Sequence, residues 1–351
     1  MAVLTPTTTV SSATAVSLGT TDSVKIEKNV LIVSTDGYGI NGTGSNQTAQ
    51  ILGTVYGDLF AVTLGTNSST GNQITVTETG MIYSPLAGLA CRGVNATVTV
   101  QGLVQGGEYG ILLAGFDSTG VSTITNSGTI TSAEAIIRDS TGTTDTIELI
   151  NSGLIEGTTV SYGVFRSGHD AKDLITNTGT MIGDINFDAG DDRYDGRNGS
   201  LDGEIHAGLG NDTLMGGSED NVFLGEAGLD KLTGSAGADQ LTGGAEADQF
   251  IYKSTKDSTT KQGGRDTIMD FSHEEADQIS LKSIDANTRS GGDQKFAFIG
   301  QESFHGRAGE LRFSFSDGDT LIQGDVNGDK KADFAILLFG QETLVAGDFI
   351  L

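Results

Sequence analysis

Five oxygen-bearing side chains fall nine residues apart between Ala207 and Ile251: Asp212, Asn221, Asp230, Asp239 and Asp248. Two residues after each comes an apolar partner: Leu214, Phe223, Leu232, Leu241 and Phe250. In register the units read AGLGNDTLM, GGSEDNVFL, GEAGLDKLT, GSAGADQLT and GGAEADQFI. Hard carboxylate oxygens at fixed spacing suit a divalent cation, above all calcium. That ion takes six to eight oxygens at about 2.3–2.6 Å. Gly208, Gly210, Gly225, Gly228, Gly234, Gly237 and Gly243 fall in the turns. There they permit positive φ, which lets main-chain carbonyl oxygens turn inward beside the acids.

A unit of this kind is a turn of about six residues and a strand of about three, the repeat of a parallel β-roll. Two units complete a coil, so turns on one side lie two repeats apart. Asp212, Asp230 and Asp248 should stack on one side, and Asn221 and Asp239 on the other. The apolar positions should fill a thin core. The second unit is irregular, with Glu219 in a glycine position and Asn221 in the carboxylate position, so its site should be altered. Glu246 likewise replaces a glycine. Upstream, Gly190-Asp-Asp192-Arg-Tyr194 fits the core of the same unit, and Asp184, Asp188, Asp191 and Asp195 lie around it. A further calcium site is expected at Asp192. A different loop places Asp325, Asn327, Asp329 and Asp333 at positions 1, 3, 5 and 9 of an EF-hand-like calcium loop. Ile336 stands where that loop would have its bidentate Glu.

The nonapeptide run resembles the RTX proteins, which bacteria export through type I secretion channels. From about residue 183 to the end, the chain also resembles the C-terminal domain of serralysin-type proteases. The matching pieces are Asp266-Thr-Ile-Met-Asp-Phe271, Asp277-Gln-Ile-Ser-Leu281 and Ala332-Asp-Phe-Ala-Ile336. The final Asp348-Phe-Ile-Leu351 is similar to that family's uncleaved secretion signal. The resemblance implies calcium-dependent folding and one-step export. The serralysin zinc motif H-E-x-x-H is absent, since His169, His206, His273 and His305 include no pair at that spacing.

Composition narrows the function classes. With 46 acids against 20 bases the net charge is −26, which disfavours nucleic acid and anionic lipid as partners. Gly is 52 of 351 residues and Pro only two, which fits a turn-dense β-protein. Cys91 stands alone, so no intramolecular disulfide forms. No apolar run is long enough to insert in a membrane. The start, MAVLTPTTTVSSATAVSLGTT, lacks the basic and apolar regions of a signal peptide. Residues 1–30 are read as a low-complexity segment, either disordered or an extended strand that pairs with another molecule.

A second, wider repeat occupies residues 74–182: ITVTETGMI, ATVTVQGLV, STITNSGTI, ELINSGLI and LITNTGTMI. Its glycines, Gly80, Gly102, Gly128, Gly153 and Gly179, are spaced 22, 26, 25 and 26 residues apart. This is the signature of a parallel β-helix with three short strands per coil. A β-sandwich of hairpins is the alternative. Asn126, Asn151 and Asn177 suit the turns, and stacked they could form a hydrogen-bonded ladder.

The expected fold is all-β: a right-handed parallel β-helix over 31–182, a calcium β-roll over 183–251 and a β-rich serralysin-like domain over 252–351. The expected function is that of a non-enzymatic extracellular structural protein, a subunit of a surface layer, biofilm matrix or filament. It would self-associate and fold on calcium after type I secretion. The alternatives are a polysaccharide-active β-helix enzyme, a lyase or epimerase, and an adhesin that binds a cell-surface polysaccharide. No nucleophile elbow or phosphate loop is present, and no Trp for sugar stacking.

Overall fold

A computed structural model of the chain describes residues 2–116, 119–141, 146–164 and 171–351. His169 lies outside them. The chain is all-β and is built as a parallel β-solenoid. It divides into two compact units. One comprises residues 1–193 and 198–203, the other 194–197 and 204–351.

In the first unit each coil contributes a strand to each of three faces. The first coil begins at Val3, well before residue 31. Val3–Leu4, Thr9–Ser11 and Val16–Leu18 pair in parallel with Ser23–Ile26, Leu31–Ser34 and Tyr38–Gly42 of the next coil. The Thr/Ser/Val-rich N-terminal stretch is thus a paired coil, since β-branched residues suit the pleat. Strict register stacks like on like. On the first face one inward row runs Val24, Ala49, Ile74, Val98, Ile124, Leu149 and Ile175, all buried.

The second inward row of that face changes character partway. Ile26, Ile51, Val76 and Val100 give way to Asn126, Asn151 and Asn177, also fully buried. The Asn126 amide donates to Asn151 Oδ1 at 2.8 Å, and Asn151 donates to Asn177 Oδ1 at 2.8 Å. Asn177 ends the ladder on the Ser200 carbonyl at 2.9 Å. Each Asn Oδ1 also accepts the N–H of the glycine two residues on. Those glycines form a column at the corner after this face. A Cβ on Gly102, Gly128, Gly153 or Gly179 would collide with the backbone of the preceding coil, so no other residue fits.

In the second unit the nonapeptide strands alternate between two faces. Thr213–Met215, Lys231–Thr233 and Gln249–Ile251 stack in parallel on one. Val222–Leu224 and Gln240–Thr242 stack on the other. Leu214, Phe223, Leu232, Leu241 and Phe250 are all buried between them. Thr267–Ile268 and Gln278–Ser280 add a further parallel rung to each face. Phe349–Ile350 then pairs with Gln278–Ser280, so the acidic-then-apolar ending is a structural strand here. An antiparallel sheet, Glu310–Ser316, Asp319–Asp325 and Phe334–Leu338, joins through Thr267–Ile268.

Replacing Asn151 by Ala leaves the Asn126 donor and the Asn177 acceptor each short of a buried partner. The expected cost is about 2–3 kcal/mol, given that one orphaned polar group costs roughly 1–3 kcal/mol. Urea unfolding of the full chain measures it, and an unchanged midpoint would show that the ladder is not stabilising.

Candidate metal centre

Three of the nonapeptide acids reach back one coil. Asp230 Oδ1 accepts the Asp212 N–H at 2.7 Å, and Asp248 Oδ1 accepts that of Asp230 at 2.9 Å. On the opposite side, Asp239 Oδ1 accepts the Asn221 N–H at 2.8 Å. Each of these bonds spans eighteen residues, as two units per coil require. Asp212, Asp230, Asp239 and Asp248 are all within 2% of full burial.

The second oxygens behave differently. Oδ2 of Asp230, Asp239 and Asp248 is buried without a hydrogen-bond partner, and so is Oδ1 of Asn221. Each points at the first glycine of its own unit. A Cβ on Gly216, Gly225, Gly234 or Gly243 would strike the side-chain oxygen of Asn221, Asp230, Asp239 or Asp248 respectively. Beside Gly216 and Gly225 the same space is also bordered by the carbonyl oxygens of Gly234 and Gly243. The arrangement is a buried, oxygen-lined gap beside an unpaired carboxylate oxygen, which fits a hard cation such as calcium. Among the described residues no three His, Cys, Asp or Glu side chains converge on one point. A cation held here would therefore take one acid per turn and complete its shell from main-chain carbonyls.

The turns supply the backbone this needs. Gly210, Gly228 and Gly237, the fourth residues of their units, have φ of 134°, 133° and 141°, and Gly208 has 97°. Gly190 has φ of 135°, so the turn before Asp192 shares that conformation. Glu246 occupies the left-handed region at 81°, where a side chain is strained. The second unit departs as its sequence suggests. Neither Gly217 nor Glu219 takes positive φ, and its orphan oxygen is a neutral amide's.

The ladder extends past the nonapeptides on their C-terminal side. Asp266 Oδ1 accepts the Asp239 N–H at 3.2 Å, and its Oδ2 is another buried orphan. Asp277 accepts the N–H groups of Asp248 and Ser272, and Asp270 those of Gly243 and Gly244. The spacing here breaks from nine, which hides these acids. Their signal is the Asp-x-Ile of Asp266-Thr-Ile268 and Asp277-Gln-Ile279, equivalent to the Asp-x-Leu of the repeats. In the first unit Asp192 Oδ1 accepts the Asp173 N–H at 2.5 Å, and Asp173 Oδ1 accepts that of Ile147 at 3.1 Å. Asp173 differs in having protein partners for both oxygens, Arg138 at 2.9 Å and the Tyr162 hydroxyl at 2.6 Å. Asp195, near Asp192 in sequence, is instead clamped by Arg197.

The loop of Asp325, Asn327, Asp329 and Asp333 satisfies itself. Asp325 accepts the N–H groups of Asn327, Gly328 and Lys330. Asp333 accepts the Val326 N–H and the Asn327 amide, and Asp329 accepts the Lys331 N–H. Asn327 Oδ1 accepts the Asp329 N–H. This loop therefore lacks the orphaned oxygen that marks the nonapeptide turns. The described histidines sit against carboxylates: His206 with Glu226, His273 with Asp348 and His305 with Glu310.

The model of the family described as Peptidase M10 serralysin C terminal matches residues 93–351, and the chain belongs to that family. The match reaches well upstream of residue 183, into the wide coils. Two solution structures from the Azotobacter vinelandii mannuronan C5-epimerase are similar in part. Its AlgE6R2 subunit is 26% identical, with 40% of this chain and 80% of that one covered at a TM-score of 0.28. Its AlgE6R3 subunit is 22% identical, with 52% and 80% covered at a TM-score of 0.26. Among curated proteins no relative matches. No helix among the described residues is long and apolar enough to cross a membrane.

Burial pushes the Asp230 carboxyl up to about 6, those of Asp239 and Asp248 to about 7 and that of Asp266 to about 9. Without metal the fold therefore holds protons that the unfolded chain, near 3.8, releases. Metal-free stability is greatest in acid, falls as pH rises above the unfolded value of 3.8, and levels off once the folded carboxyls have ionised, at about 6 to 9. A cation competes with those protons, so calcium affinity should rise steadily from pH 5 to pH 8. Calorimetric titration at several pH values checks this. Asp239→Asn keeps the acceptor but not the charge and should flatten the dependence. A pH-independent affinity would mean that these acids are not the ligands.

Proposed function

We propose that this chain is a non-enzymatic extracellular structural protein, exported by a type I secretion apparatus and folded by calcium outside the cell. The observation that carries the reading is the ladder of buried acids. Each uses one oxygen to tie adjacent coils and turns the other toward an oxygen-lined gap. Asp212, Asp230 and Asp248 would serve one side of a calcium β-roll, and Asn221, Asp239 and Asp266 the other. Gly208, Gly210, Gly225, Gly228, Gly234, Gly237 and Gly243 would admit the carbonyls, and Asp192 would hold a site upstream. Bound calcium would supply the positive charge that this ladder lacks.

The mechanism is coupled binding and folding. Where free calcium is scarce the stacked acids repel one another, and the nonapeptide segment stays extended and fit for passage through a channel. Outside, calcium binding free energy becomes folding free energy. Membership of the serralysin C-terminal family supports this secreted, calcium-dependent reading. The antiparallel sheet and the strand Phe349–Ile350 would then close the roll. The stacked coils of the first unit would provide the surface for self-association into a layer, matrix or filament.

A corner groove of about 690 Å³ in the first unit carries Glu78 as its one carboxylate and no aromatic ring. Glycoside cleavage by a pair of acids finds no second carboxylate there.

Circular dichroism and electron microscopy test the proposal together. Calcium should raise the β-signal, excess chelator should remove the part owed to the nonapeptide segment, and calcium-loaded protein should form ordered assemblies. An unchanged spectrum in chelator would refute calcium-driven folding. A dispersed monomer at high concentration in millimolar calcium would refute the structural role.

A further inference from the structure

The corner groove has a property that suits one occupant. It runs across successive coils where the first face of the wide solenoid turns into the second. Its apolar surface comes from Leu52, Met81 and Leu103, and Met81 is 39% exposed. Among the described residues its charged lining residues are Lys28 and Glu78, both exposed. Neither forms an ion pair within its own chain among the described residues. The chain carries 46 acids and 20 bases, so most of its surface repels a second copy. In this groove the charges balance.

Their placement is self-complementary. Lys28 follows the strand Ser23–Ile26 and Glu78 follows Gln73–Val76, with Thr48–Ile51 paired between them. They are two rungs apart, roughly 10 Å along the stack. A two-fold axis across the middle rung, at Leu52 and Gly53, exchanges the two positions. We infer that a second copy of this chain docks antiparallel in the groove. Lys28 of each copy then meets the partner's Glu78, twice by symmetry, and the Leu52 side chains meet at the axis. An isologous contact of this kind needs only one patch to be complementary to itself. The inference rests on the self-associating reading above and names the contact it uses.

Sedimentation equilibrium of the full chain in calcium tests it, with circular dichroism confirming that each variant is folded. Wild-type protein should dimerise. K28E and E78K should each weaken the dimer by about tenfold, since two exposed pairs turn repulsive. The K28E/E78K double variant should restore wild-type affinity, which a merely structural role for either residue would not do. A wild-type monomer would overturn the inference along with the self-associating reading. If wild type associates but the single reversals have no effect, or the double variant fails to restore affinity, the inference falls alone. The self-associating reading would then stand with its contact elsewhere.

Discussion

A parallel solenoid stacks each position on its own equivalent one coil away, and buried polar positions must live with that. An amide carries both a donor and an acceptor, so asparagine can pair with asparagine indefinitely. Asn126, Asn151 and Asn177 do so with their outer ends on the backbone. A carboxylate only accepts. Stacked carboxylates can use the N–H of the next coil for one oxygen, and the other then needs a positive or donating partner. Asp173 finds Arg138 and Tyr162 inside the protein. Even so, burial leaves its carboxyl above the ordinary range, against the opposing pull of Arg138. Asp230, Asp239 and Asp248 have no such partner for Oδ2.

On the calcium-dependent reading, that contrast divides the chain by what it would need in order to fold. In the wide coils the asparagine ladder and the Arg138–Asp173 pair find their partners within the protein. In the second unit Asp230, Asp239 and Asp248 each keep one buried oxygen without a protein partner, and on the proposed reading a bound cation would supply it. The ladder ends where the protein can again meet its own needs. Asp270 and Asp277 accept backbone N–H groups on both oxygens. Asp348 accepts the Val345 N–H and faces His273.

Much of this was legible in the residues. Period nine set the phase of the acids and the buried Leu and Phe, and the two-sided stacking followed from it. The wide repeat pointed to three strands per coil, and its Asn-x-Gly pieces to turns, while the tightness of the glycine corner showed only in the coil stacking. The first coils were harder to see because their polar inward residues vary. Gln47 and Asn72 bond to each other and to neighbouring loops, and Ser23 fills the same role one coil earlier. Without a repeated letter, a Thr/Ser-rich start reads as low complexity. Asp266, Asp270 and Asp277 were hidden by loops that lengthen the coil beyond eighteen residues. Arg138 and Asp173 are 35 residues apart, and no local pattern announces a pair that only the coil geometry brings together.

The nonapeptide ladder should depend on a cation and the asparagine ladder should not. Hydrogen exchange with mass spectrometry at neutral pH compares them within one molecule. Peptides covering Asp212 to Asp248 should be protected in calcium and exchange rapidly in chelator, while those covering Val121 to Asn126 and Thr146 to Asn151 stay protected in both. Equal protection of the nonapeptide amides with and without calcium would contradict the account.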